Sequence, residues 1–135
     1  MASPEIVTTN SEQETFALGH NVAKTLSPGT FVLLHGDLGA GKTAFVRGMA
    51  AGLGANPDDV SSPTFVLIQH YKGRTPLVHV DLYRLEKAAT DDLGLEELHR
   101  GVLAIEWPDR LSHQLPGARR VSIEILDGDE RRIRW

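Results

Sequence analysis

Residues 36–43 combine glycine, lysine and threonine at the spacing of a phosphate-binding loop. They read Gly-Asp-Leu-Gly-Ala-Gly-Lys-Thr and fit the pattern G-x-x-x-x-G-K-[ST]. Glycines let the backbone fold around an anion with its N–H groups pointing inward, and the helix that follows adds unpaired N–H groups and partial positive charge. Lys42 can bridge terminal phosphates, and the Thr43 hydroxyl can ligate magnesium. The segment therefore predicts a site for a nucleoside triphosphate or a closely similar ligand.

The predicted contacts to this ligand come from the loop and from the first turn of the helix after it. The residues expected to make them are Asp37, Leu38, Gly39, Ala40, Gly41, Lys42, Thr43 and Ala44. Asp37 has two interpretations, because it could orient an attacking water or be only a solvated acid of the loop.

Two apolar strand candidates end in an acid. Residues 77–81 end at Asp81, and residues 102–106 end at Glu106. A nucleotide-bound magnesium ion usually needs a carboxylate at the end of a strand beside the phosphate loop, and ligands of open α/β sheets bind outside the carboxyl ends of the strands. Each acid taken alone is equally consistent with a turn or cap residue. We therefore expect at least one of them to face the phosphates, and both are candidate magnesium ligands.

Three other features have a structural interpretation that competes with the functional one. Thr64 could bring its hydroxyl to magnesium or a γ-phosphate, although a proline turn entering a strand explains the segment at least as well. Trp107 could contact a nucleotide or a partner, but a lone tryptophan is more often part of the core. The arginines of residues 119–120 and 131–134 favour a solvated sheet edge over an RNA contact.

The composition fits one domain over residues 1–135. The chain has 14 basic and 18 acidic side chains, a net charge of −4 and no cysteine. The missing cysteine excludes disulfides, thiolate metal sites and a cysteine nucleophile, and the histidines do not cluster into a zinc site. The net charge argues against a protein that mainly coats phosphate backbones. Without a signal-like N-terminus or an apolar run near the ~20 residues of a membrane span, we expect a cytoplasmic protein with no membrane contact.

Hydrophobic periodicity predicts the elements that position these residues. The predicted strands cover residues 5–9, 30–35, 65–71, 77–81, 101–106, 121–126 and 131–135, and the predicted helices cover 12–26, 42–53, parts of 88–99 and a short segment from Pro108 to His113. Turns at 72–74 and 127–129 predict two hairpins. With the phosphate loop, this pattern predicts an α/β fold. It is P-loop NTPase-like and three-layered, with a mixed, mainly parallel central sheet and a C-terminal β-hairpin.

Four blocks, in order, resemble the bacterial TsaE (YjeE) ATPase family across nearly the whole chain. They read HGDLGAGKT at residues 35–43, SPTF at 62–65, HVDLYRL at 79–85 and IEWPDR at 105–110. No block except the phosphate loop is decisive by itself, whereas the ordered set is highly specific.

The resemblance implies a cytoplasmic ATPase that uses ATP and Mg²⁺ and supports threonylcarbamoyl modification of the tRNA adenosine next to the anticodon. In that family the chemistry on tRNA belongs to the partner TsaD, acting with TsaB. The ATPase binds that complex and couples ATP turnover to its repeated cycles. Contact with tRNA is therefore expected only through the complex.

The family motifs also imply residue roles. They place Lys42 and Thr43 at the phosphates and magnesium, Thr64 in a switch-like segment, and Asp81 in an acidic block. Glu106–Trp107 fall in the catalytic and nucleotide-contact block. Catalytic roles are thus expected for Lys42, Glu106, Thr64 and Asp81, and magnesium ligation for Thr43, Glu106 and Asp81.

Two other functions share the phosphate loop. A small-molecule phosphotransferase would need an acceptor pocket and usually an arginine-rich lid, whereas the residues after Arg84 are acidic. A nucleotide-dependent binding module would hydrolyse ATP only incidentally. A GTPase is disfavoured because no [NT]-K-x-D block is found. Arg47 and Arg84 are considered for the role of an arginine finger, and neither is assigned to it.

Overall fold

The described residues, 5–37, 39–60, 68–83, 101–111, 114–115 and 117–135, form seven strands and two α-helices in a computed structural model of the chain. The strands are β1 (Ile6–Thr9), β2 (Phe31–His35), β3 (Ile68–Tyr71), β4 (Leu77–Asp81), β5 (Val102–Glu106), β6 (Arg119–Ile125) and β7 (Arg131–Arg134). The helices are α1 (Glu12–Ala23) and α2 (Lys42–Gly52), and short 3₁₀ turns cover Pro57–Asp59 and Pro108–Arg110.

All seven strands of the described residues join one sheet, in the order β1-β7-β6-β2-β5-β4-β3. Strands β6, β2, β5 and β4 are parallel neighbours, whereas β3 pairs antiparallel with β4, β7 with β6, and β1 with β7. Five strands therefore run in one direction and two run against it. This confirms the mixed, mainly parallel sheet and both predicted hairpins, one of them at the C-terminus. The place of β1 beside β7 was not predicted.

The start of α1 shows how its sequence sets the boundary. Ser11 caps the helix, because its hydroxyl accepts a hydrogen bond from the Glu14 N–H at 3.1 Å. The Glu14 carboxylate accepts a hydrogen bond from the Asn10 N–H at 3.3 Å, one residue before the Ser11 N–H that it would bond in a standard capping box. The helix ends at Ala23, earlier than the predicted residue 26, because the N–H groups of Thr25 and Leu26 bond carbonyls three residues back.

Both helices pack together on one face of the sheet. A Cβ at Gly48 of α2 would lie 2.0 Å from the Phe16 carbonyl oxygen of α1, so only glycine permits this close approach. Fully buried Phe45 and Met49 of α2 lie in the core between the helices and the sheet. This packing fixes the position of α2, and with it the end of the phosphate loop.

The opposite face of the sheet has its own core. It contains Leu33, Val80, Leu103 and Ile105, among others, and partly buried side chains pack against it.

The helical segments predicted within 88–99 lie outside the described residues, as do residues 65–67 of one predicted strand and the end of the helix predicted to reach His113. The division into a single domain stays a prediction. Within the described ranges, no helix has the length and apolar character needed to cross a membrane.

Candidate phosphate-loop site

The phosphate loop joins the buried strand β2 to the helix α2. Gly39 and Gly41 have φ angles of 78° and 102°, in the left-handed region that favours glycine. Gly41 is the N-cap of α2 and makes no side-chain cap bond. The first N–H groups of the helix are therefore free of side-chain capping at the position where a phosphate-binding helix presents them.

Lys42 is the first residue of α2 and is buried, with only 5% of its surface exposed. Its Nζ donates a hydrogen bond to the Gly36 carbonyl oxygen at 2.7 Å and lies 3.8 Å from Glu106 Oε1. The same ammonium lies 4.2 Å from the centre of the Trp107 ring, within range of a cation–π interaction. Burial lowers the pKa of Lys42, and the negative charge of Glu106 opposes that shift.

Glu106 is held from two sides at the end of β5. One carboxylate oxygen, Oε1, faces Lys42, and the other, Oε2, lies 2.5 Å from His79 Nε2. His79 is completely buried on β4, and its Nδ1 has no hydrogen-bond partner among the described residues. Both oxygens of Glu106 are thus engaged before any ligand is considered, which fixes the orientation of the carboxylate.

Asp81 lies beside Glu106, since the two residues are paired in register at the ends of the parallel strands β4 and β5. Asp81 Oδ1 accepts a hydrogen bond from the Tyr83 N–H at 2.9 Å. Burial raises the pKa of Asp81; the Tyr83 bond opposes this and the charge of Glu106 adds to it. A cation close to the two acids would relieve this effect.

The oxygen donors at this edge fit Mg²⁺, which prefers carboxylate, hydroxyl and phosphate oxygens. Thr43 is half-buried in the first turn of α2, and Asp81 retains carboxylate oxygen capacity beyond its bond to Tyr83. Within the described part of the chain, no three His, Cys, Asp or Glu residues form a group that could hold a metal by themselves. The described carboxylates and the Thr43 hydroxyl would therefore be only part of the ligand set of a magnesium ion at this edge.

Trp107 is the only described non-glycine residue with positive φ, at φ 59° and ψ 52°. A left-handed residue of this type costs about 1–2 kcal/mol. Its ring is tilted by 45° against Tyr83, with 4.9 Å between the ring centres, and it also lies against the Lys42 ammonium and packs against the second core. Backbone strain of this kind is concentrated at functional positions, which together with the Lys42 contact makes Trp107 a candidate site residue.

The structure brings together most of the predicted site residues. Lys42, Glu106 and Trp107 are in direct contact, and Asp81 is paired with Glu106. The remaining described positions are Thr43 and Ala44 in the first turn of α2, Gly39, Ala40 and Gly41 in the loop, and exposed Asp37. Leu38 and Thr64 lie outside the described residues, so their predicted roles stay predictions.

Sequence reasoning missed two contributors to this region. The histidines enter the sequence-based prediction only as possible zinc ligands, but His79 hydrogen-bonds Glu106; its same-face spacing from Asp81 is the signal that places it near the carboxyl ends of the strands. Arg131 was grouped with solvated arginines, but it hydrogen-bonds the phosphate loop. No local signal could have found this contact, because 91 residues separate Arg131 from Ala40.

The strand–loop–helix geometry and the mixed sheet define a P-loop α/β protein. A solved structure with this fold supports the classification: the crystal structure of Bacillus subtilis YdiB matches with a TM-score of 0.79 and 36% identity, covering 99% of this chain and 85% of that chain.

A family model described as "Threonylcarbamoyl adenosine biosynthesis protein TsaE" matches residues 9–133. A relative from Bacillus subtilis, named tRNA threonylcarbamoyladenosine biosynthesis protein TsaE, is 43% identical over 129 residues, which are 93% of this chain and 80% of the relative. Relatives of the same name from Treponema pallidum and from Nostoc sp. are each 40% identical, covering 91% and 88% of this chain and 93% and 76% of their own lengths. The chain belongs to the TsaE family.

Proposed function

We propose that this protein binds ATP with Mg²⁺, hydrolyses it slowly, and thereby supports threonylcarbamoyl modification of the tRNA adenosine next to the anticodon. Family membership supports the place in tRNA modification. The observation that carries the ATPase proposal is the buried contact of Lys42 with both Glu106 and Trp107 at the end of the phosphate loop. A buried cation and carboxylate are unfavourable as a packing solution and are common where charge is needed for chemistry.

Lys42 and the loop amides bind the phosphates in this proposal. The free first turn of α2 and the residues from Asp37 to Ala44 surround the phosphate groups. Lys42 exchanges its bond to the Gly36 carbonyl for phosphate oxygens and neutralises charge that develops during hydrolysis. Trp107, against which the ammonium lies before the nucleotide binds, provides an apolar surface for the nucleotide.

Thr43 and Asp81 are the residues we assign to magnesium. Both carboxylate oxygens of Glu106 already have partners, whereas Asp81 is the acid whose raised pKa would be relieved by a nearby cation. The bound ion would supply charge neutralisation at the phosphates. Thr64 is assigned a catalytic role as part of a switch-like segment, by family resemblance alone.

Glu106 is the residue we assign to the attacking water. When Lys42 turns to the phosphates, Oε1 of Glu106 becomes available to accept a hydrogen bond from water. His79 keeps the carboxylate oriented through Oε2. This division of roles requires only positioning and charge stabilisation, which are the main contributions in phosphoryl transfer.

We further propose that TsaD and TsaB are the partners and that the protein works with them in the cytoplasm. In this proposal TsaD completes the chemistry on tRNA, and this P-loop protein contributes ATP turnover. The net charge of −4 is consistent with tRNA being reached through the complex rather than by direct binding.

The test is ATP hydrolysis by the purified protein, alone and with TsaD and TsaB. We expect slow turnover alone and stimulation by the two partners. Glu106→Gln should lose hydrolysis by about 100-fold while retaining ATP binding, since the amide keeps the size of the side chain but not its charge. Arg132→Met, a change at an exposed residue, is the matched control.

Two results would contradict parts of this proposal. Fast hydrolysis that ignores the partners would overturn the partner-dependent ATPase. Full support of tRNA modification by Glu106→Gln would show that ATP binding, and not hydrolysis, is the function. Release of ADP stimulated by a metabolite without partners would indicate a phosphotransferase instead.

A further inference from the structure

A phosphate loop that turns its N–H groups inward turns carbonyl oxygens outward, and these also need partners. In this chain the carbonyls in question belong to Gly39 and Ala40, directly before α2. The position of these two peptide groups decides whether the loop N–H groups converge on one point.

Arg131 of β7 provides the partner. Its Nε donates to the Ala40 carbonyl oxygen at 2.9 Å, and its Nη2 lies 3.4 Å from the Gly39 carbonyl oxygen. On the other side of the guanidinium, Nη1 donates to the carbonyl oxygens of Gly128 at 2.6 Å and Glu130 at 3.0 Å. A single side chain thus connects the phosphate loop to the tip of the C-terminal hairpin.

The backbone that carries Arg131 is fixed on both sides. Strand β7 lies between β6 and β1, and Arg131 is paired in register with Ile125 of β6 and with Thr9 of β1. The guanidinium therefore projects from the hairpin end of the central strand of three, and the loop carbonyls are held against a backbone that is paired on both sides.

We propose that Arg131 is a positioning residue of the phosphate loop, holding Gly39 and Ala40 so that the loop amides face the phosphates of the nucleotide. This inference rests on the proposed binding of ATP. Arginine suits the task because its planar fork has five donors, which serve carbonyls in different directions, whereas a lysine ammonium donates from one point. Among the described residues no carboxylate lies within 4.0 Å of Arg131, so its charge also favours a nearby anion.

The experiment is calorimetric titration of the full chain with MgATP and, separately, with inorganic triphosphate. Arg131→Met keeps the length of the side chain but removes its donors, and Arg131→Lys keeps the charge but removes the fork. The control is Arg132→Met, on the next residue of the same strand, whose side chain is exposed and paired with Glu124.

We expect Arg131→Met to weaken binding of both ligands by about 10-fold to 100-fold, with Arg131→Lys intermediate and Arg132→Met within about twofold of wild type. In steady-state hydrolysis KM should rise while kcat changes by less than about threefold, because the residue acts on the phosphate loop and not on the attacking water. A merely structural arginine would instead lower the unfolding temperature and leave ligand affinity of the folded protein unchanged.

The outcomes separate this inference from the proposed function. If wild type binds ATP and Arg131→Met binds it equally well, the role of Arg131 is overturned and the ATPase proposal stands. If Arg131→Met does not fold, the test rests on Arg131→Lys. Unchanged affinity of that variant for MgATP and triphosphate would overturn the proposal that the guanidinium fork positions the loop. If wild type binds neither ATP nor triphosphate, both proposals fail.

Discussion

Two pairs of opposite charge show how differently the same chemistry behaves in two regions of this molecule. Lys42 and Glu106 are separated by 3.8 Å, and their side chains are 6% and 7% exposed. Arg132 and Glu124 on the C-terminal hairpin are closer, at 2.7 Å, but their side chains are 48% and 59% exposed. The shorter distance belongs to the pair that matters less, because water screens it.

The buried pair is unfavourable unless other groups share its charges. Glu106 has His79 on its second oxygen, and Lys42 has the Gly36 carbonyl and the Trp107 ring. A buried ion pair often contributes no more stability than apolar residues of similar size. A buried pair at the end of the phosphate loop is therefore consistent with the proposed role in binding and chemistry, whereas the exposed pair needs no function.

Lys42→Ala should give the largest effect of the variants that probe this difference. Loss of a charge-assisted contact to phosphate in a buried site should weaken MgATP binding by about 30-fold to 100-fold, measured by calorimetry. Lys24→Ala, at an exposed lysine after α1, should bind like wild type. Equal affinity of the Lys42 variant would mean that the buried cation serves packing alone.

His79→Ala should have the next largest effect, on turnover. Without its bond to Oε2, Glu106 loses its fixed orientation, so kcat for ATP should fall by about 10-fold to 100-fold with KM within about threefold. His79→Gln, which can still donate to the carboxylate, should recover part of the rate. His70→Ala on β3 is the exposed control; a parallel rise in KM for His79→Ala would contradict the positioning role.

A moderate effect of pH on the free energy of unfolding is expected from the protonation of His35. Burial lowers the pKa of His35, with Arg120 and Lys42 adding to the shift and Asp109 opposing it; Arg120 Nη1 lies 3.1 Å from His35 Nε2. The unfolded chain then binds the proton more readily than the folded one, so the free energy of unfolding should fall as the pH drops below about 6.5. Urea unfolding at about pH 7.5 and about pH 5 should show a smaller loss for His35→Gln than for wild type. Identical losses in both proteins would exclude His35 as the cause.

The smallest effect is expected at the exposed pair. A double-mutant cycle with Arg132→Ala and Glu124→Ala should give a coupling free energy below about 1 kcal/mol, decreasing at high salt. Unfolding by urea at low and high ionic strength measures it. A coupling free energy of several kcal/mol that does not change with salt would mean that the exposed pair is no weaker than a buried one.

The sequence predicted best what depends on neighbouring residues. The phosphate loop is readable because its glycines, Lys42 and Thr43 must occur in one short segment to surround an anion. Likewise, the apolar run that ends at Glu106 predicts a buried strand and an acid at its carboxyl end. These local rules also gave the C-terminal hairpin around residues 127–129.

Contacts that depend on strand order could not be predicted in the same way. The bond between His79 and Glu106 requires β4 and β5 to be parallel neighbours in a particular register. Arg131 reaches Ala40 because β7 lies between β6 and β1. The sequence around residue 6 contains no signal that predicts the pairing of β1 with β7. Tertiary pairing, and not local propensity, decides these positions.

The Lys42 ammonium beside the Trp107 ring should make the fluorescence of this tryptophan sensitive to the position of the lysine. A positive charge 4.2 Å from an indole ring perturbs its excited state, so moving Lys42 from the ring toward phosphate should shift the emission of that tryptophan. The other tryptophan, Trp135, follows β7 at the far end of that strand from Arg131 and can be replaced by phenylalanine to leave a single fluorophore. Binding and release of the proposed nucleotide could then be followed in real time without any label.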